Sequence, residues 1–273
     1  VSDPEKRIAL LIDADNAPAA KIDEVLAEVA RFGVANVRRA YGNWKSPRLK
    51  GWEAVLHEYA IRPIQQFAYS KGKNASDMAM VIDAMDLLYA RNLDGFAIVS
   101  SDADFTPLVM RLLTDGVKVY GFGEKKTPDP FVNACSQFTY LEALGQGDAG
   151  RAAADAGQPG HGEAAADAPA APGGAQPPIQ PRPGNELRGD TRLLNLLRGA
   201  VDAAADEQGW AALSAVGNQI GNRASFDSRN YGYRKLSDLL AAIGLFELKK
   251  DDKSTQVRVL PKKAAKAAKA GAA

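Results

Sequence analysis

The chain has 273 residues, 46% hydrophobic and 25% charged, an ordinary globular composition with room for about two domains. Its 34 Lys and Arg against 33 Asp and Glu leave a formal charge of +1, which excludes binding of a polyanion through net charge alone, so any such site must be local. One cysteine, Cys135, excludes an intrachain disulfide and a multi-cysteine zinc site, and with His57 and His161 the only histidines a histidine-based triad is not expected. No apolar stretch approaches the roughly 18 residues of a membrane span and no signal-peptide pattern is present. A cytoplasmic location is the expectation, and the single cysteine fits a reducing compartment.

From about residue 5 to 145 the chain alternates strand-like and helix-like segments. Residues 8–13 are an almost uninterrupted apolar run, as a central parallel strand buried on both faces requires. Residues 18–32 place Ile22, Val25, Leu26 and Val29 at helical spacing, with Pro18 tolerated in the first turn. Then follow NVRRAY (strand), SPRLKGWEAVLHEY (helix), IRPIQQF (strand), SDMAMVIDAMDLLYAR (helix), GFAIVS (strand), DFTPLVMRLLTDG (helix) and VKVYGF (strand). This alternation predicts an open α/β sheet with right-handed crossovers.

Two of the strands end in acids. The first runs into Asp13 and Asp15, and VSSDADF at 99–105 carries Asp102 and Asp104. Ligands of open parallel sheets bind at the carboxyl ends of the strands, where strand order reverses. Asp77 follows Ser76, a good helix N-cap, and shares the apolar helix face with Met80, Val81, Ala84 and Leu88, which brings it toward the same end. Asp83 and Asp86 fall on other faces and are expected to be solvated. Two carboxylates about 4 Å apart repel by about 4 kcal/mol at an effective dielectric near 20, so such a group requires a cation or protonation. All-oxygen ligands suit Mg²⁺ or Mn²⁺ rather than Zn²⁺. An ion held there activates water and stabilises a phosphoryl transition state. For any one of these acids, the competing explanation is a helix cap or Asx turn.

Residues 146–186 are rich in Ala, Gly and Pro and nearly free of large apolar side chains, which predicts a linker of about 40 residues spanning on the order of 35 Å. Such a linker tethers the flanking domains without docking them. From 187 to 261 the sequence predicts three helices (DTRLLNLLRGAVDAAADEQ, ALSAVGNQIGNR, SRNYGYRKLSDLLAAIG, the last ending at Gly244) and a hairpin around DDKST. Three helices and a β-wing make a winged helix-turn-helix, whose third helix is the usual nucleic-acid reader. Arg229, Tyr231, Tyr233, Arg234 and Lys235 are the candidate contacts, although at least one tyrosine is expected in the core. Residues 262–273 form a basic, Ala-rich tail.

The motifs LIDADN, KGKNASD and VSSDADFTPLVMRL resemble those of NYN domains, the PIN-like group of metal-dependent nucleases, over about residues 5–142. The resemblance implies a PIN-like Rossmannoid sheet and cleavage of RNA by metal-activated water. Carried over by position, it implies that Asp13, Asp77, Asp102 and Asp104 hold the metal and act in catalysis. Asn16 lies beside the first acid, and Ser101 is assigned to orienting substrate or ligands. Lys71, Lys73, Arg38, Arg39, Lys45, Arg48 and Lys50, with Trp44 and Trp52, lie in or beside loops expected near this end. Cations and rings together suit single-stranded nucleic acid, although Trp52 also fits the core. YGYRKLSDLL and GLFEL resemble the OST-HTH, or LOTUS, module, which implies RNA binding or, in some relatives, protein binding.

These readings lead to a metal-dependent endoribonuclease, using Mg²⁺ or Mn²⁺, whose second domain recruits single-stranded or structured RNA. The alternatives are a non-catalytic RNA-binding scaffold and a haloacid-dehalogenase-like phosphohydrolase. In the latter Asp13 is the nucleophile and Asp15 the general acid, with Ser100 and Lys73 in supporting roles.

Overall fold

A computed structural model of the chain describes residues 5–66, 75–90, 92–145, 179–251 and 254–260. The first domain is a six-stranded, wholly parallel sheet in the order β3-β2-β1-β4-β5-β6. The strands are β1 (Arg7–Asp13), β2 (Val34–Gly42), β3 (Arg62–Gln65), β4 (Gly95–Val99), β5 (Lys118–Gly123) and β6 (Gln137–Tyr140). Between them run α1 (Ile22–Val29), α2 (Trp52–Glu58), α3 (Ala75–Ala90), α4 (Thr106–Thr114) and α5 (Asp129–Ala134). The sequence pattern does not announce β6.

The two-residue period of the central strands divides their side chains between two cores. Ile8, Leu10 and Ile12 of β1, with Ala97 and Val99 of β4, pack with Ile22, Val25 and Trp52 on the α1 and α2 side. Ala9 and Leu11, with Phe96 and Ile98, pack with Met80, Ala84 and Leu108 on the α3 and α4 side. Hydrophobic coverage on both faces is what allows these strands to be apolar runs rather than alternating ones. The chain leaves β1 in one direction and returns at β4 on its other side, so the reversal of strand order falls between these two strands. Asp13 continues the parity of Ala9 and Leu11, which turns it toward α3.

Parity also explains a correction. Arg39 and Tyr41 of β2 stand on the α3 side, and both donate hydrogen bonds to Asp83 of α3. Asp83 is therefore not solvated, whereas Asp86 is exposed. Burial, and next Asp83 itself, push the Tyr41 phenol above its ordinary pKa, so it stays a donor. The helix wheel places Asp83 off the apolar face, but two long polar side chains reach up from the sheet to meet it. Arg38, in the segment expected as a strand, lies mid-strand and donates to the carbonyls of Ala35 and Tyr59, so it is engaged away from the loops.

The second domain comprises α6 (Gly184–Gly189), α7 (Thr191–Ala204), α8 (Leu213–Arg223), α9 (Leu236–Ile243) and a three-stranded antiparallel sheet, β7-β9-β8. Its strands are β7 (Ala211–Ala212), β8 (Phe246–Asp251) and β9 (Ser254–Val259). Leu193, Leu197 and Val201 of α7 meet Val216 and Ile220 of α8, Leu239 and Ile243 of α9, and Val257 of the wing. Asp190 caps α7 by accepting from the Leu193 N–H at 2.9 Å.

Two expectations change here. Composition assigns residues 179–186 to the linker, yet Ile179 is buried, and the Tyr233 hydroxyl donates to the Arg182 carbonyl at 2.6 Å. The segment expected as a single third helix is two pieces, a 3₁₀ turn over Ser228–Tyr231 and α9. Gly232 separates them at φ 83°, a left-handed conformation that glycine adopts without steric penalty.

Contrary to the expectation of domains tethered but not docked, the two domains touch directly. Asn230 donates to the Phe138 carbonyl at 2.9 Å and accepts from the Tyr140 N–H at 3.0 Å, so its amide pairs with the open edge of β6 as a strand would.

Candidate functional site

Asp13 ends β1 and is 1% exposed. Its Oδ2 accepts from Ser100 Oγ at 2.8 Å and from Asn16 Nδ2 at 3.0 Å. Its Oδ1 is buried and has no hydrogen-bond partner among the described residues. Burial raises its pKa above the ordinary carboxylate value; the bonds from Asn16 and Ser100 oppose this, and Asp15 adds to the rise. An ionised oxygen buried without a partner is costly unless a positive charge meets it.

The other acids gather around it. Asp102 caps the short 3₁₀ turn after β4, its Oδ1 accepting from the Asp104 N–H at 2.8 Å. Its own N–H donates to Ser100 Oγ at 3.1 Å, so one serine serves both acids. Asp104 is exposed. Asp77, in the first turn of α3, is pushed up to about 6 by burial first and then by Asp13, Asp102, Asp104 and Asp15 in turn. Asp77 is thus within electrostatic reach of the four other carboxylates. Among the described residues, however, no three His, Cys, Asp or Glu side chains are close enough together to enclose one ion. The donor set fits a hard divalent cation in kind, with all-oxygen ligands, an unpartnered buried carboxylate oxygen and excess negative charge. It does not form a closed coordination sphere.

Two residues outside the leading group expected from sequence belong to this site. Asp15 accepts from Ser76 Oγ at 2.9 Å and so ties the end of β1 to the start of α3. Ser100, considered only for the phosphohydrolase, is the hub between Asp13 and Asp102. The signal for both is their position inside motifs already singled out for their neighbours. Ser101 accepts from the Glu124 N–H at 2.8 Å, which fastens β4 to the end of β5.

The expected nucleic-acid contacts disperse. Lys71 and Lys73 lie outside the described residues. Trp52 is core, and Arg39 is paired with Asp83. Trp44 is half-buried and donates Nε1–H to the Ile64 carbonyl at 3.0 Å. With Lys45 and Lys50 it borders a shallow pocket of about 330 Å³ beyond the end of β2. Arg48 is exposed nearby. In the second domain, Arg234 and Lys235 are exposed, Tyr233 is half-buried, and Tyr231 stacks on Phe226. Arg229 turns to the first domain, donating to Glu28 at 2.6 and 2.7 Å.

A parallel sheet with acids at its strand-order reversal, followed by a small winged-helix domain, defines the class as a Rossmannoid α/β domain joined to a helix-turn-helix module. Residues 7–142 match the NYN domain family and residues 188–258 the OST-HTH/LOTUS domain family, so the chain is an NYN domain followed by an OST-HTH/LOTUS domain. NYN domains belong to the PIN-like nuclease superfamily, and OST-HTH/LOTUS domains bind RNA. An uncharacterized protein of Methanocaldococcus jannaschii is 35% identical over 127 residues, 44% of this chain and 48% of that one. The chain thus matches about half the length of this curated relative.

Among solved structures, a crystal structure of a protein of unknown function from Vibrio parahaemolyticus is 18% identical with a TM-score of 0.43, covering 51% of this chain and 95% of that one. A solution structure of an uncharacterized protein from Nitrosomonas europaea is 25% identical with a TM-score of 0.24, covering 37% of this chain and 94% of that one. Among the described residues no helix is long and apolar enough to cross a membrane.

Proposed function

We propose that the NYN domain is an endoribonuclease dependent on Mg²⁺ or Mn²⁺, and that the OST-HTH domain supplies RNA to it. The observation that carries this reading is the buried Asp13 at the strand-order reversal, with one carboxylate oxygen unpartnered among the described residues and Asp77, in electrostatic reach of Asp13, Asp15, Asp102 and Asp104, nearby. Asp13, Asp77 and Asp102 would hold the ion, with Asp104 beside them. When bound, the ion supplies Lewis acidity toward the phosphate and lowers the pKa of a water molecule.

The protein's own residues position this chemistry. Ser100 and Asn16 fix the Asp13 carboxylate through Oδ2 and leave Oδ1 without a donor among the described residues. Asp102 is oriented by the Asp104 N–H. Asp77, pushed up to about 6 by burial and then by its acidic neighbours, is a carboxylate whose ionised form a cation held among these acids would favour. The NYN and OST-HTH pairing supports RNA as substrate. A non-catalytic RNA-binding scaffold is the competing reading, favoured by the carboxylates not closing on a common point.

Incubation of the protein with 5′-labelled single-stranded RNA in Mg²⁺, Mn²⁺ or EDTA tests the proposal. Metal-dependent internal cleavage is the expected result. RNA retained intact in every condition, with a measurable gel shift, would replace the nuclease by the scaffold.

A further inference from the structure

The second domain is fixed against the first by a buried charge cluster. Arg229 bridges Glu28, in the last turn of α1, and Asp227, at 2.6 Å each. The two carboxylates are 5% and 8% exposed. Asp227 also accepts from Thr139 at 3.0 Å and Gln137 at 3.3 Å, and Arg192 of α7 donates to Asn133 at 2.7 Å. Burial works against the Arg229 charge, but Glu28 and Asp227 outweigh it and hold the guanidinium above its ordinary pKa.

Docking in this way creates a cleft of about 930 Å³ between the domains. Its charged lining is Arg31, Arg229, Arg234 and Lys235 against Glu28 and Asp227, an excess of two cations. The two acids are satisfied by Arg229. Arg31 touches Glu28 but leaves its side chain 65% exposed. Arg234 and Lys235 are exposed and have no acidic partner among the described residues. The cleft also carries three held rings, of which Phe226 stacks on Tyr231. Phe32 stacks on Tyr120 at 4.0 Å, and Tyr233 is held through its hydroxyl to Arg182. Gly217 of α8, also in the lining, has open space where a side chain would stand, which admits close backbone approach.

We propose that this interdomain cleft is a composite site for single-stranded RNA, in which Arg31 of the NYN domain and Arg234 and Lys235 of the OST-HTH domain hold phosphates of one strand. Cations and fixed rings lining one cleft suit a polyphosphate bearing planar bases; an acidic peptide would leave the rings unused. The cleft lies at the far end of the sheet from Asp13, because Arg31 follows α1 just before Val34 bonds to Lys6 at the start of β1. The seven residues of β1 separate the two ends by about 20 Å. The inference rests on the RNA-directed reading of the chain but not on cleavage.

The test is binding of a fluorescent oligouridylate to the full chain in EDTA, followed by anisotropy over a salt series. Variants are Arg31→Ala, the double substitution Arg234→Ala/Lys235→Ala, and Arg62→Ala on the opposite edge strand as control, each checked for native unfolding midpoint. Both cleft variants are expected to weaken binding roughly three- to tenfold and to lower the slope of log K against log salt by about 0.7 for each phosphate no longer neutralised. The control is expected to match the parent, and polyglutamate not to compete. Weakening by Arg234→Ala/Lys235→Ala with Arg31→Ala unchanged would overturn the composite site and confine RNA to the winged helix. No binding by the parent, no change in either cleft variant, or equal competition by polyglutamate would also overturn it. RNA bound through the cleft but never cleaved in metal would overturn the nuclease and leave the cleft standing.

Discussion

Ser100 donates its hydroxyl to Asp13 Oδ2 at 2.8 Å and receives the Asp102 N–H at 3.1 Å. One side chain at the end of β4 thereby orients the carboxylate at the end of β1 and holds the backbone of Asp102 beside it. Ser100→Ala removes that link with little change in volume. Outer partners of metal-binding groups typically contribute 10- to 100-fold, so RNA cleavage is expected to fall by about that factor. The RNA dissociation constant should stay unchanged. Cleavage rate and anisotropy measured on the same preparation check the split.

Arg229→Ala leaves Asp227 buried without its cation and Glu28 with only the largely exposed Arg31. Removing one partner of a fully buried pair is strongly destabilising. Arg229 keeps 19% exposure, so a reduced loss of about 2–4 kcal/mol is expected. Arg229→Lys should recover only part, because an ammonium cannot fork onto two carboxylates. Urea unfolding should change from one transition to two as the domains separate.

Asp83 joins α3 to β2 through Arg39 and Tyr41. Asp83→Ala orphans a guanidinium and a phenol that are both mostly buried, with an expected loss of about 2–3 kcal/mol. Asp86→Ala, further along the same helix at an exposed position, is expected to change stability by less than about 0.5 kcal/mol. Denaturant midpoints of the two variants, compared at equal slope, check the contrast.

Burial pushes the Cys135 thiol up to about 12 from 9.0. The folded protein therefore keeps the thiol neutral where the unfolded chain ionises it. The contribution to stability is fully present below pH 9 and is lost as pH rises from 9 toward 12, by up to about 1.4 kcal/mol per pH unit. At pH 8 a thiol reagent should leave the native protein unmodified and label one site after unfolding. The alkaline decline should be shallower in Cys135→Ala.

Much of the first domain was legible because its instructions are local. Apolar runs such as Ile8–Ile12 and Phe96–Val99 can only be strands covered on both faces, and the acids that end them lie at the switch point by topology. β6 escaped because QFTY is four residues long with polar ends, and its pairing with β5 is set by distant chain. Asp83 was misplaced because a helix wheel ranks faces by apolarity and does not see Arg39 and Tyr41 arriving from another element. The split of the third helix turned on the φ of Gly232, which sequence periodicity alone does not register. That Arg229 should close a bridge to Glu28, about two hundred residues earlier, has no local signature at all.

The central claim, that the acid cluster carries out metal-dependent cleavage of RNA, is tested most directly by Asp13→Asn. The substitution preserves shape and the bond from Ser100 while removing the buried charge. Cleavage of labelled RNA in Mn²⁺ and binding of the same RNA in EDTA should be measured side by side with the parent. The account predicts cleavage abolished and binding unchanged. Cleavage by Asp13→Asn at the parent rate would contradict it.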